Sequence, residues 1–366
     1  MRIPLPAFIH LIVFMTGIVW VSPCLAANDR SSAVILAYHR IGEDAYPDSN
    51  LRTGQFFEQV QELTNGSYTI LPLPEIIRAL KNAEPLPPST VAITFEGAYR
   101  SAYVNAIPLL LEKNIPFTVF YAASHADNKD EQHMNWNELR ALKKHPFVTL
   151  GILPASYTHM ADVPREDILT QINKARLRHR EEFAGEAKLF SYPFGEYSLH
   201  FKNIVSEQNF DAAFGLHSGS IAASSDFMAL PRFTMTEIYG DLERFRLVAN
   251  ALPLLALDIE PADPLLTTSM PAIGFSVPPA LAPNLANLSC FISGQAQPGI
   301  EVLGETRIEL RLAEPLAEER TRVNCTMPGP QQMQDPNEPQ NWRWFGMLLV
   351  NKEVEEDPNP LPNEPQ

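Results

Sequence analysis

Between residues 34 and 233, short apolar runs alternate with amphipathic stretches of helical period. This alternation restricts the fold more than any other feature of the chain. Residues 34–39, 90–95, 117–122, 147–152, 188–194, 211–216 and 229–233 read as strands. Residues 54–63, 73–80, 101–114, 137–144, 164–183 and 198–208 read as helices. In the helix at 164–183, proline sits near the start, and Ile168, Ile172, Ala175 and Leu177 supply the apolar side. Strands that alternate with helices pair in parallel, because each crossover needs a helix to carry the chain back over the sheet. The fold class is therefore α/β, with a mostly parallel sheet, open or closed into a barrel.

The pattern changes after residue 250. Proline recurs, helical periodicity stops, and short runs at 287–292, 299–303, 306–312, 321–326 and 342–350 are joined by Gly/Pro turns. Arg307-Ile-Glu-Leu-Arg-Leu312 alternates almost strictly. Such a series reads as a small antiparallel β-sandwich. The expected organisation is a signal peptide at 1–26, an α/β unit at 33–250, a linker at 251–270, a sandwich at 271–351 and a disordered acidic, Pro-rich tail at 352–366.

The start carries Arg2, then an apolar run over roughly 8–21, then Ser-Pro-Cys-Leu-Ala-Ala, the pattern of a secretory signal cleaved after Ala26. An uncleaved anchor is the alternative, and it would be the chain's one contact with a membrane. Removing the signal takes Cys24 and leaves Cys290 and Cys325, which in an exported chain are expected to pair. The net charge of −15 argues against a nucleic-acid surface and does not favour an anionic membrane.

One stretch puts a charge where a parallel α/β sheet binds ligands. Val91-Ala-Ile-Thr-Phe-Glu-Gly-Ala-Tyr-Arg100 runs as a β-branched strand into Glu96, and Gly97 and Ala98 then turn the chain. A polar residue at the carboxyl end of such a strand faces the ligand-binding end of the fold. A surface turn with a solvated Glu fits the same residues. Downstream, Tyr192, Phe194 and Tyr197 offer flat faces suited to sugar rings, with Pro193 and Gly195 fixing a turn.

In this order and spacing the stretches resemble the NodB-homology polysaccharide deacetylases. The family's Thr-Phe-Asp-Asp-Gly-Tyr is matched by Thr94-Phe95-Glu96-Gly97-Ala98-Tyr99, its His-Ser/Thr-x-x-His by Ala155-Ser156-Tyr157-Thr158-His159, and its aromatic groove segment by Phe190-Ser-Tyr-Pro-Phe-Gly-Glu-Tyr197. Leu230-Pro-Arg-Phe233 matches a later strand. The resemblance implies a deformed, incomplete (β/α) barrel. It puts Glu96 at the catalytic-base position and Tyr99, Tyr192, Pro193, Phe194 and Tyr197 along the substrate. It leaves His159 as the one retained metal ligand, with Gly97 and Ala155 in the other two ligand positions. No late histidine is available as general acid, and His217 reads as a core or loop residue.

One imidazole does not hold a divalent ion, since catalytic zinc takes three protein ligands. No cofactor is therefore expected, and zinc or another divalent metal only if the site is rearranged around Glu96, His39, His125, Asp127 or His133. The double substitution Gly97→Asp with Ala155→His is expected to restore metal binding if the frame is intact. Three functions compete. The first is a catalytically degenerate exported protein that binds an N-acetylated glycan or an envelope protein. The second is an active de-N-acetylase with a rearranged site. The third is a barrel scaffold for a sandwich whose Trp342, Trp344 and Phe345 form a sugar platform.

Overall fold

The computed structural model describes residues 31–330 and 341–351. The expected signal peptide with Cys24, and the acidic tail, lie outside the described residues.

Six parallel strands form the centre of a nine-stranded sheet. They run in the order Ser32–Tyr38, Thr90–Phe95, Phe117–Tyr121, Val148–Ile152, Leu189–Ser191 and Ala212–Phe214. The strand Thr90–Phe95 is buried at every position, as expected of a strand covered on both faces. Ile221–Ala222 pairs antiparallel with the first strand, and Phe233–Thr234 pairs parallel with it. Leu230 bridges Phe214 on the last strand, so the segment 230–234 crosses the gap between the two ends of the sheet. The result is a curled, incomplete barrel.

The helices depart from expectation in two places. The stretch 101–114 is two helices, Arg100–Asn105 and Ile107–Glu112, broken at Ala106. Pro108 lies in the first turn of the second, where its missing N–H costs nothing. The helix Arg165–Phe183 buries Ile168, Ile172 and Ala175, but Leu177 is 48% exposed and the fourth buried position belongs to His179. Tyr121 explains the exchange, because its hydroxyl bonds His179 Nδ1 at 2.9 Å. The strand expected over 188–194 stops at Ser191, and Pro193–Gly195 is a tight 3₁₀ turn.

The C-terminal part holds two further sheets. One contains Leu252–Pro253, Trp342–Asn351, Arg320–Pro328 and Ser289–Ile292, with Leu265–Leu266 also on Trp342–Asn351. The other runs Leu257–Glu260, Ile273–Ser276, Arg307–Arg311, Gly299–Leu303. Arg320–Pro328 alternates half-buried and buried residues along its whole length. Its inward residues Val323, Cys325 and Met327 share one core with Phe275, Ile308 and Leu310 of the other sheet. The stretch expected to be a linker, 251–270, supplies strands to both sheets. Cys290 and Cys325 are disulfide-bonded across directly opposed positions, with Cα atoms 4.1 Å apart.

Trp344 and Phe345 are partly buried and make packing contacts. The Trp344 ring meets Phe233 of the barrel at 5.1 Å, its Nε1–H donates to Asn324, and Phe345 packs on Phe275 at 4.8 Å. The sheets also close directly on the barrel at Gly346, where a Cβ would lie 2.4 Å from the Ser218 carbonyl oxygen.

Candidate functional site

Glu96 ends its strand with no exposed surface. The Ser191 hydroxyl lies 2.9 and 2.8 Å from its two carboxylate oxygens, and Arg232 Nη1 donates to Oε2 at 2.8 Å. Arg232 also donates to the Ser191 oxygen and, through Nε, to the Gly215 carbonyl. Its guanidinium lies 5.3 Å from the centre of the Phe120 ring and 5.8 Å from that of Phe214. Burial raises the Glu96 carboxyl above the ordinary carboxylate range, against the pull of Arg232 and Ser191. Both of its oxygens are therefore occupied inside the protein. Glu96, expected from the resemblance at the base position, is one half of an interior ion pair.

His159 lies at the same end of the barrel. Phe194 stacks on His159 at 4.2 Å and packs against Tyr157 at 4.5 Å, and the Glu96 charge is among the causes that raise the Tyr157 phenol. The His159 side chain is 40% exposed, and its Nδ1 lies 2.7 Å from Glu196 Oε2. Arg320, from the C-terminal sheet, approaches the other Glu196 oxygen at 2.8 Å without hydrogen-bond alignment, so the contact is an ion pair only. Arg320 Nη2 does donate to the Phe194 carbonyl at 2.7 Å, and Arg322 to that of Leu216.

The family's metal does not fit this geometry. Gly97 and Ala155 have no side-chain donor atom, which leaves one imidazole, His159, where catalytic zinc takes three protein ligands. Gly97 sits at φ +78°, and a Cβ there would lie 2.9 Å from a ring carbon of Tyr99. Ala155 has no exposed surface. An aspartate at position 97 would need both a strained backbone and a displaced tyrosine. The expectation that Gly97→Asp with Ala155→His would restore the ion therefore turns on whether Tyr99 can move aside.

The aromatic residues divide. Phe194 lies with its ring against His159 but is only 4% exposed. Tyr192 has no exposed surface, packs with Phe190, Phe201 and Tyr197, and donates its hydroxyl to the Met228 carbonyl. Pro193 is buried in the turn, and Tyr197 is partly buried against Tyr192. Tyr99 is 4% exposed, held between the Arg40 guanidinium and the His133 ring.

His39 is buried and His217 half-buried, and both imidazoles are held well below their ordinary pKa. Burial, then the charges of Arg232, Arg320, Arg322 and Arg40, lowers His39 to about 3. Burial, then Arg322 and Arg232, lowers His217 to about 4, so it is a poor proton donor at neutral pH. Of the proposed replacement ligands, Asp127 pairs with Arg178 and accepts from Trp136. His125 and His133 do come together, around Asp130, which the sequence reading passed over. It also gave no role to Ser191, Glu196 and Arg232, although all three lie inside matched motifs.

A family model of polysaccharide deacetylases matches residues 83–213. The chain carries a polysaccharide deacetylase domain of the NodB-homology type. The poly-β-1,6-N-acetyl-D-glucosamine N-deacetylase of Staphylococcus aureus strain MSSA476 is 19% identical over 241 residues, which cover 59% of this chain and 83% of that protein. The Streptococcus pyogenes deacetylase PplD, solved with acetate, superposes with a TM-score of 0.56 at 17% identity over 60% of this chain and 99% of its own. IcaB from Ammonifex degensii gives 0.53 at 19% identity, covering 60% of this chain and 98% of its own. At these identities the structural likeness establishes the fold of the deacetylase domain.

The His159–Glu196 pair makes a pH prediction. The hydrogen bond to Glu196 raises the His159 pKa above the ordinary imidazole value, against burial and the charge of Arg320. A raised histidine contributes stability that is complete below about pH 6.5 and is lost as pH rises through the folded value. NMR titration of Glu196→Gln is expected to move His159 below its wild-type value, because burial and Arg320 then act without the carboxylate. An unchanged titration would disprove the pairing.

Proposed function

We propose that this chain is an exported, non-hydrolytic member of the deacetylase family that binds an N-acetylated envelope glycan at the retained end of the barrel. The observation that carries this reading is the double internal pairing. Glu96, at the base position, is bound by Arg232, and His159, at the retained ligand position, is bound by Glu196. Glu96 is not free to activate water, and positions 97 and 155 offer no donor that would join His159 in holding an ion. Without a polarising ion, an attacking water keeps a pKa near ~15.7 instead of ~7. Glycan as the ligand class is supported by the relatives' N-acetylglucosamine polymer substrate and by the exposed edge of His159 beside Phe194. Export is supported by the N-terminal pattern and the disulfide. Among the described residues no helix is long and apolar enough to cross a membrane.

Acetate release from β-1,6-linked N-acetylglucosamine oligomers tests the reading, with calorimetric titration of the same oligomers for binding. Release at background, with measurable binding, is expected. Gly97→Asp with Ala155→His is expected to leave release at background as well, because Tyr99 crowds position 97 and Glu96 stays paired with Arg232. Chelator-sensitive release by the wild-type protein would overturn the proposal in favour of an active, rearranged deacetylase. Silent titrations against glycan would favour an envelope protein as the partner.

A further inference from the structure

We propose that His125, Asp130 and His133 form a site for one divalent transition-metal ion of the zinc class, distinct from the family's position at residues 97, 155 and 159. His125 Nδ1 lies 3.1 Å and His133 Nδ1 2.9 Å from the same oxygen, Asp130 Oδ2. The two rings are stacked with centroids 3.8 Å apart and planes within 10°. One ligand atom from each of the three residues falls within 4.8 Å of the others. Tetrahedral zinc with bonds of about 2.0–2.2 Å has ligand-to-ligand edges of roughly 3.3–3.5 Å. Placing an ion among these atoms asks at least one imidazole to rotate out of the stack, because in parallel rings 3.8 Å apart the two Nδ1 lone pairs run side by side and do not converge.

The cluster is built, not incidental to a flexible surface. Asp130 Oδ1 accepts the Gln132 N–H at 2.9 Å, which leaves Oδ2 turned toward the rings. The Asp130 N–H donates to the His125 carbonyl, and the His133 N–H to the Asp130 carbonyl, so the three backbones are interlocked. An outer hydrogen bond that fixes a ligating carboxylate is a regular part of metal sites. His133 is 7% exposed, and neither ring's Nε2 has a hydrogen-bond partner among the described residues. Each imidazole thus meets Asp130 Oδ2 through Nδ1 and leaves its Nε2 without a protein partner. The side chains of His125 and Asp130 are 26% and 33% exposed, which gives an ion a way in. Two imidazoles and one carboxylate are a donor set for zinc, copper or nickel rather than for calcium or magnesium.

The location gives the ion a task. Arg100 N–H donates to the Gln132 carbonyl and Met134 N–H to that of Ala98, so the loop that carries Asp130 and His133 is clamped to the turn after Glu96. His133 also stacks against Tyr99 at 4.7 Å. A bound ion would tie the helix Ala123–Asp127 to this loop and fix the wall beside Tyr99. The inference does not depend on the non-hydrolytic reading, because it assigns the ion no hydrolytic step.

The test uses metal-stripped full chain, titrated with Zn²⁺ by calorimetry and with Co²⁺ by visible spectroscopy. One ion per chain is expected, with tetrahedral Co²⁺ absorption and a higher melting temperature when Zn²⁺ is bound. His125→Gln and Asp130→Asn, both at partly exposed positions, are each expected to weaken binding by more than the 10–100-fold that loss of an outer partner costs. His159→Ala is expected to leave binding unchanged. Circular dichroism of each variant separates lost ligation from lost fold. Failure of the wild-type protein to bind, binding untouched by the first two variants, or binding abolished by His159→Ala would each overturn the site. Acetate release is scored separately, so this outcome and that of the proposed function do not merge.

Discussion

Arg232→Met is expected to destabilise the protein by about 3–5 kcal/mol at neutral pH, because it leaves the Glu96 carboxylate buried and unpaired. Urea unfolding measures the loss, and the melting temperature should fall by roughly 10 °C. Methionine retains most of the volume between Phe120 and Phe214, so a cavity contributes little. The cost also depends on pH in a fixed sense. With Arg232 gone, burial acts on Glu96 with less opposition, and its folded pKa rises further above the unfolded value. A raised carboxylate penalises the folded state above that pKa and ceases to do so as pH falls and both states bind the proton. The variant should therefore recover part of its deficit in acid. Glu96→Gln combined with Arg232→Met is expected to cost clearly less than the sum of the single variants, since the two side chains share one interaction. Additive losses, or a single-variant loss under about 1 kcal/mol, would show that the pair does not hold this end of the barrel.

Cys290→Ala with Cys325→Ala is the second large effect. The bond joins residues 35 apart, and loop closure in the unfolded chain makes that worth about 4 kcal/mol. Both cysteines lie in the shared core of the C-terminal sheets, so the alanines add a packing loss. A midpoint shift in urea equivalent to about 4 kcal/mol or more is expected, and reduction of the wild-type protein should reproduce most of it. The consequence reaches the candidate site. Arg320 and Arg322 are on the same strand as Cys325, and they hold the Phe194 and Leu216 carbonyls. Loosening that strand should release Glu196 from Arg320 and change the titration of His159. Wild-type stability in the alanine variant would remove the bond from the account of this domain.

Most of the barrel can be read in advance from the chain because its signal is local. A strand buried on both faces must be apolar throughout, as in Thr90–Phe95, and a crossover helix must carry a periodic apolar side, as in Arg165–Phe183. Boundaries moved where tertiary contacts outweighed pattern. Leu177 gave its expected inward place to His179, which Tyr121 could bond. The stretch 251–270 has too little periodicity to read as structure, yet it pairs with strands far away in sequence. Tyr192 and Phe194 are both aromatic and two residues apart. Only the left-handed backbone at Phe194, φ +56°, sends one ring to His159 while the other stays in the core.

The sequence by itself determined the α/β class, the NodB-type order of motifs and the absence of a side-chain donor at positions 97 and 155. Each of these follows from residue type and spacing along one stretch of chain. Tertiary structure decided what the surviving groups do. Glu96 meets Arg232 at a separation of 136 residues, and Glu196 meets Arg320 from a different sheet. Whether a carboxylate is a base or half of an ion pair depends on which cation folding brings within about 3 Å, and on whether water can still reach it. Neither condition is written in the neighbouring residues. The same holds for Asp130, an ordinary loop aspartate in sequence that acquires a chemical setting once two imidazoles are folded against one of its oxygens.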